Sequence, residues 1–125
     1  MPRTAITPFA APSDVPISPG VRKGNIVQVS GQVAFHPETG EVVGTTVAEQ
    51  TEQVLRNVLA VLDAAGASEA DVVMFRVYLT DKTHFAAMNE VYSRFISDPR
   101  PARTTVYVGL PDGLLVEIDA LAVLD

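Results

Sequence analysis

Two charged residues, Arg103 and Glu117, stand inside segments near the end of the sequence whose composition is otherwise that of apolar strands. Because successive side chains of a strand point to opposite faces, the small and branched residues would share one face: Val106, Val108, Val116, Ile118, Ala120 and Ala122. The polar residues would share the other: Arg103, Thr105, Tyr107, Glu117 and Asp119. Buried charges need partners, so this second face is the predicted site.

Arg103 and Glu117 are residue types that can bind and activate small acids. The planar guanidinium of Arg103 matches the two oxygens of a carboxylate, so it can clamp an acidic ligand. The alternative is a structural ion pair with Glu117 or Asp119. Glu117 could accept a proton from water as a general base in a water-poor cleft, or it could simply face solvent on an edge strand.

The spacing of the two residues limits how one chain could use them together. If the last two strands form a hairpin centred near Asp112, Glu117 lies opposite Tyr107, about 13 Å along the strand from Arg103. A small ligand does not easily span that distance. A symmetric assembly could instead bring the Glu117 of a second copy to Arg103, so the sequence leaves open which chains donate the two groups.

The first half of the chain contains clear turn and helix signals. Residues 21–33 have a strand-forming composition around a Gly-Asn turn, which predicts a hairpin. Thr46 and Glu49 form a possible capping box, and apolar residues then recur at helical spacing until Gly66. An amphipathic helix is therefore predicted after the hairpin.

The second half predicts the remaining elements of the fold. A β-branched and aromatic stretch over 72–80 is typical of a central strand, and a second helix is expected to start within 81–83 and to end before Pro99. Two final strands follow. The order ββαβαββ predicts an α+β sandwich, a mixed sheet covered on one face by two helices. Residues 1–15 are predicted to be an extended arm and residues 16–125 a single domain.

Composition excludes several classes of function. The chain has 125 residues and is 47% hydrophobic, which suits one compact core. Its net charge is -6 without a basic patch, so nucleic acid is not the favoured partner. It has no cysteine, and His36 and His84 lack partners at metal-ligand spacing, so we expect no metal. The chain shows no signal-peptide core or membrane span, and a cytoplasmic location is predicted.

The uncovered face of the predicted sheet would be partly apolar. Around Arg76, Arg103 and Glu117 it would carry the following large side chains: Met74, Tyr78, Tyr107, Leu115, Leu121 and Val123. An apolar surface of this kind favours self-association.

Several linked segments carry a family resemblance. Pro101-Ala102-Arg103-Thr104, followed by Val116-Glu117-Ile118-Asp119-Ala120, resembles the signature of the Rid family, the reactive intermediate deaminases of the YjgF type. The segments 24–32, 36–42, 63–66 and 85–92 fall in the same order as in that family. The resemblance covers about residues 16–123, and such a linked set is more specific than any one motif.

The resemblance implies a chorismate-mutase-like fold, assembled as a homotrimer with a ligand site in each cleft between subunits. It implies hydrolysis of 2-imino acids like 2-iminobutanoate and 2-iminopropanoate, or their enamines, to 2-oxo acids and ammonia, and we expect no cofactor. Arg103 would clamp the substrate carboxylate and Glu117 would position a water molecule. One competing function is non-catalytic sensing of small 2-oxo acids. Another is the ribonuclease or translation-inhibitor activity attributed to some relatives, which the acidic balance disfavours.

Four further residues match family positions at the implied substrate site: Ile17, Gly31, Asn89 and Thr105. Thr105 stands where many relatives have a cysteine, so this chain has no thiol there. Ile17 stands where they have an aromatic residue, so it has no polar group there to position a substrate. Asn89 could equally be a structural hydrogen-bonding residue, and Gly31 could mark a β-bulge rather than a close approach of ligand to backbone.

Overall fold

The computed structural model describes residues 2–10 and 14–125. Its helices are α1 and α2, its strands are β1 to β6, and two short 3-10 turns precede β4 and α2. The elements in chain order are β1 Thr4–Ile6, β2 Gly20–Lys23, β3 Ile26–Gln32, α1 Val47–Ala64, β4 Val72–Leu79, α2 Phe85–Phe95, β5 Ala102–Tyr107 and β6 Val116–Val123. The six strands form one sheet in the order β1-β2-β3-β6-β4-β5.

The predicted α+β architecture is confirmed: α1 and α2 pack together on one face of a mixed sheet. The side chains that fill this layer are fully buried, among them Leu55, Leu62, Phe75, Leu79, Met88 and Ile118. The structure adds the short strand β1 to the predicted order. That strand belongs to the predicted arm, of which residues 1 and 11–13 lie outside the described part of the chain.

In the first half of the chain, the turn and the helix cap form as the local sequence predicts. Lys23 pairs with Ile26 across the predicted two-residue turn, and Gly24 has the positive φ that such a turn requires, 61°. Thr46 caps α1, because its side chain accepts from the Glu49 backbone N–H and the Glu49 side chain returns to the Thr46 backbone. These contacts fix the hairpin and the helix from short-range chemistry.

The last two strands do not form the expected hairpin. β5 pairs in parallel with β4, whereas β6 lies between β3 and β4 and is antiparallel to both. The physical reason is the crossover through α2, which returns the chain to the edge of the sheet beside β4. Glu117 is therefore opposite Tyr78 rather than Tyr107.

This topology also corrects the predicted faces. Arg103 pairs with the core residue Phe75, and Val106 pairs with Tyr78, so Arg103 lies on the helix-covered face and Val106 on the open face. By the same register Thr105 and Tyr107 belong to the helix side, beside Val77 and Leu79. The predicted polar face therefore divides, with the β5 residues on one side of the sheet and the β6 residues on the other.

The open face is nonetheless partly apolar, as expected. Strand register places on it Ile26, Met74, Tyr78, Val106, Leu121 and Val123. Val106 and Val123 are 40% and 39% exposed. Leu115 was expected on this face, but it packs against the core instead. The open face thus presents apolar side chains around Arg76, Glu117 and Asp119, and the described helices do not cover it.

Candidate functional site

Arg103 lies in a groove between β5 and the inner side of α2. Its guanidinium carbon is 4.8 Å from the ring centroid of Tyr92 and 5.6 Å from that of Phe85, and Nη1 is 4.0 Å from Met88 Sδ. None of the ion pairs in the described residues includes Arg103. A guanidinium held on two aromatic rings without a carboxylate partner can bind an external anion.

Polar atoms near Arg103 also lack partners. Thr105 follows it on the same side of β5, and the buried Thr105 Oγ1 makes no hydrogen bond with a described residue. The Tyr92 hydroxyl is likewise buried without a partner. Asn89 lines the same groove of about 450 Å³. We call Asn89, Tyr92, Arg103 and Thr105 the arginine half-site, because unpaired buried polar atoms favour a ligand or water that can bond to them.

Glu117 lies on the opposite face of the sheet and makes no hydrogen bond or ion pair with the described residues. Burial raises the pKa of its carboxyl above the ordinary value, and the negative charge of nearby Asp119 raises that pKa further. A carboxylate with these properties is a stronger base than an exposed glutamate.

The sequence did not reveal how Glu117 is positioned. Buried Gln50 of α1 donates to the Gly113 carbonyl at 2.7 Å and accepts from the Leu115 backbone N–H at 2.8 Å. These bonds fix the backbone at the start of β6, two residues before Glu117. Gln50 is a polar residue at a position of α1 where helical spacing predicts an apolar one, and this was the signal in the sequence that could have indicated its role.

Gly31 lies directly beneath the Glu117 side chain, at a bulge of β3 between Val29 and Gln32. A Cβ at this glycine would be 2.5 Å from Glu117 Oε2, so only glycine leaves room for the carboxylate in its present position. The predicted bulge at Gly31 is therefore present, and the group that lies close to its backbone is the Glu117 side chain; the approach of a ligand here stays a prediction.

The residues that follow Ile17 in the chain bond to the strand next to Gly31. Ser30, which precedes Gly31, donates its hydroxyl to the Ser18 carbonyl at 2.6 Å, and its N–H to the Pro19 carbonyl at 2.9 Å. Ile17 itself is 53% exposed. We call Gly31 and Glu117 the glutamate half-site, and the place of Ile17 in it stays a prediction.

Asp119 is not the partner of Arg103 that one prediction proposed. It accepts from Arg76 Nε at 2.8 Å and from the Tyr78 hydroxyl at 2.9 Å, both on the open face. Desolvation raises the pKa of Tyr78, and its hydrogen bond to Asp119 raises it further. The predicted ion pair between Arg103 and Asp119 is therefore wrong. A pair between Arg103 and Glu117 is also wrong, because Glu117 lies on the other face of the sheet.

The two half-sites do not meet within one chain. Arg103 and Glu117 are on strands separated by β4, three register positions apart, which corresponds to about 10 Å across and about 10 Å along the sheet. Their side chains also leave the sheet in opposite directions. One small ligand cannot contact both groups of the same chain.

The described residues contain no cluster of potential metal ligands. His36 lies in the predicted turn, where its Nδ1 accepts from the Glu38 N–H at 3.1 Å. Across residues 2–10 and 14–125, the helices are too short or too polar to span a bilayer.

Comparison with known proteins identifies the family. The family described as Endoribonuclease L-PSP matches residues 9–124. A RutC family protein of Pyrococcus abyssi is 46% identical over 108 residues, 86% of this chain and 85% of the relative. The crystal structure of RidA from the Antarctic bacterium Psychrobacter superposes with a TM-score of 0.87 at 43% identity, covering 94% of this chain and 96% of that one. The chain belongs to the Rid family.

This Rid-family chain also resembles a relative whose name states a reaction. A 2-iminobutanoate/2-iminopropanoate deaminase of the mite Dermatophagoides farinae is 36% identical over 124 residues, 98% of this chain and 97% of the relative. The match extends over both half-sites, from Ile17 to Glu117. The family resemblance seen in the sequence is thus confirmed.

Proposed function

We propose that this chain hydrolyses 2-imino acids and their enamine tautomers to 2-oxo acids and ammonia. The observation that carries the proposal is Arg103, a guanidinium with aromatic support and no carboxylate partner among the described residues. Such a group suits the carboxylate that every 2-imino acid carries. The named activity of the mite relative supports the same substrate class.

In this proposal the active site is formed between copies of the chain. The open sheet face presents Glu117 amid apolar side chains, and burying that face against a neighbour would remove the apolar surface from water. The neighbour would supply its arginine half-site from the edge strand β5. A closed ring of three copies, as the family resemblance implies, repeats this contact with an Arg103 and a Glu117 in each cleft.

The chemistry then needs few groups. Arg103 holds the substrate carboxylate, and Thr105 Oγ1 and Asn89 offer hydrogen bonds beside it. Glu117 accepts a proton from a water molecule as the water oxygen bonds to the imine carbon, giving a tetrahedral carbinolamine. The protonated Glu117 then returns the proton to the nitrogen. The hydroxyl proton of the carbinolamine then passes to the nitrogen through Glu117 as the C–N bond breaks, which releases ammonia and leaves the 2-oxo acid, so the sum is imine plus water to ketone plus ammonia.

RNA cleavage, suggested by the family description, finds less support in this chain. The net charge is -6, and the groove at Arg103 contains only one other cation, Arg100, among the described residues. A nucleic-acid surface needs a broader array of basic groups to neutralise phosphates.

The direct test is imine turnover by the wild-type protein. 2-Iminobutanoate is generated in situ by a threonine dehydratase in the presence of semicarbazide, which captures the free imine as a semicarbazone. We expect the protein to lower semicarbazone formation in proportion to its concentration, because hydrolysis competes with capture. Hydrolysis no faster than in buffer would refute the enzyme function, and binding of 2-oxobutanoate without turnover would favour a sensor.

A further inference from the structure

A second guanidinium shares the groove of Arg103. Arg100 lies just before β5, and it lines this groove together with Asn89, Tyr92, Ser93, Pro101 and Arg103. The other lining residues are neutral, so the groove contains two cations and no carboxylate. An arrangement of this kind favours ligands with more than one negative charge.

Arg100 is held in place but is not neutralised. Its Nη1 donates to the Ile96 carbonyl at 3.1 Å at the end of α2. Its Nε is 3.3 Å from Asp98 Oδ1, but these two side chains are 52% and 87% exposed, and such a pair contributes little. Nη2 makes no hydrogen bond with the described residues. The backbone contact therefore orients Arg100 while a donor edge stays free.

Tyr92 lines the groove beside Arg103. Its ring lies under Arg103 and packs edge-on against Phe75, with centroids 5.5 Å apart. Burial raises the pKa of the Tyr92 hydroxyl, whereas the positive charges of Arg103 and Arg100 act in the opposite direction. Tyr92 is only 7% exposed, and its hydroxyl has no partner among the described residues. Tyr92 thus adds a neutral side chain, and no carboxylate, to the lining of the groove.

We propose that the preferred substrates of this chain are 2-imino dicarboxylates, with Arg103 on the carboxylate next to the imine and Arg100 on the second carboxylate. This inference rests on the proposed function and specifies its substrate class. The reaction is unchanged in its balance: the imine carbon gains the water oxygen, the C–N bond breaks, and the products are a 2-oxo dicarboxylate and ammonia. The second carboxylate takes no part in the bond changes and serves recognition alone.

The test compares two ligands that differ only at the far end. 2-Oxoglutarate and 2-oxopentanoate each have five carbons and a 2-oxo acid group, but only the former has a second carboxylate. In calorimetry with the wild-type protein we expect 2-oxoglutarate to bind roughly tenfold more tightly, the usual gain from a hydrogen bond to a charged group. Raising the salt concentration should reduce this preference.

Two variants test whether Arg100 causes the difference in affinity between the two ligands. Arg100→Gln should reduce the affinity ratio of the two ligands to near one. Arg94→Gln is the matched control, since Arg94 lies on α2 outside this groove, 60% exposed and paired with Glu90; it should keep the wild-type ratio. The same ratio should appear in the hydrolysis of imines made in situ from glutamate and from 2-aminopentanoate by an amino-acid oxidase with catalase.

The outcomes separate this inference from the proposed function. Equal affinities in the wild type, or an unchanged ratio in Arg100→Gln, would overturn the dicarboxylate preference, whatever the turnover of 2-iminobutanoate. A preference that depends on Arg100 but comes without imine turnover would support the binding inference and refute the enzyme. If the wild type binds neither ligand, the dicarboxylate preference is wrong, and the turnover of 2-iminobutanoate decides the enzyme function separately.

Discussion

Replacing Arg103 by alanine is expected to abolish the binding of small 2-oxo acids while the protein stays folded. The guanidinium is the charged group of the arginine half-site, and losing a bidentate, charge-assisted pair costs about a hundredfold or more in affinity. Its own contacts within the chain are with the rings of Tyr92 and of the exposed Phe85 and, at 4.0 Å, with the sulfur of the buried Met88, and none of them is an ion pair. Calorimetry with 2-oxobutanoate and thermal unfolding by circular dichroism measure the two quantities.

The Arg103→Lys variant tests whether the planar shape of the guanidinium is needed in addition to its charge. Lysine keeps the positive charge but has no planar fork, so we expect it to restore only a small part of the affinity. Arg94→Ala, a change of an exposed arginine on α2, controls for the general loss of positive charge. Normal binding of 2-oxobutanoate by Arg103→Ala would refute the clamp. Unfolding of Arg103→Ala together with full function of Arg103→Lys would show that the residue is structural.

Replacing Glu117 by glutamine should lower imine turnover by roughly two to four orders of magnitude, the usual contribution of a general base. The amide keeps the size of the side chain and its place over Gly31, but it cannot accept a proton at neutral pH. Affinity for a 2-oxo acid should change little, because Arg103 provides the anchor. Single-turnover hydrolysis measured beside product affinity separates the two effects, and undiminished hydrolysis would exclude Glu117 as the base.

The pH dependence of turnover follows from the same carboxyl group. Burial and the charge of Asp119 raise the pKa of Glu117, so the group takes up its proton at a higher pH than an exposed glutamate would. Because the proposed base must be deprotonated, activity should fall as the pH decreases through this raised pKa. The acid limb of kcat/KM should therefore lie above the ordinary glutamate range, and it should be absent from the residual activity of Glu117→Gln.

The sequence predicted those features that depend on neighbouring residues. The capping box of Thr46 and Glu49 and the turn at Gly24 are made by groups within a few positions of one another, so composition and spacing are sufficient. Alternation along β5 also correctly grouped Arg103 with Thr105, and alternation along β6 grouped Glu117 with Asp119. Each strand taken alone was therefore predicted well.

The alternation of side chains along one strand cannot predict which strands lie beside it or in what register. Whether Arg103 shares a face with Glu117 depends on which strand lies beside β5, and here the α2 crossover places β5 in parallel with β4. The partner of Asp119 is likewise set by the β4–β6 register, which brings in Arg76 and Tyr78. Long-range pairing of this kind leaves no mark on local spacing, and the same limit applies to contacts between copies.

The central claim is that Arg103 of one copy and Glu117 of another form one hydrolytic site, and subunit mixing tests it most directly. Arg103→Ala and Glu117→Gln chains with different affinity tags are co-expressed, and assemblies containing both are isolated by successive purification on the two tags. In a ring of three, each mixed assembly has one cleft with both native groups, so we expect about one third of wild-type imine turnover, although each variant alone is nearly inactive. Mixed assemblies no more active than the separate variants would contradict the shared site.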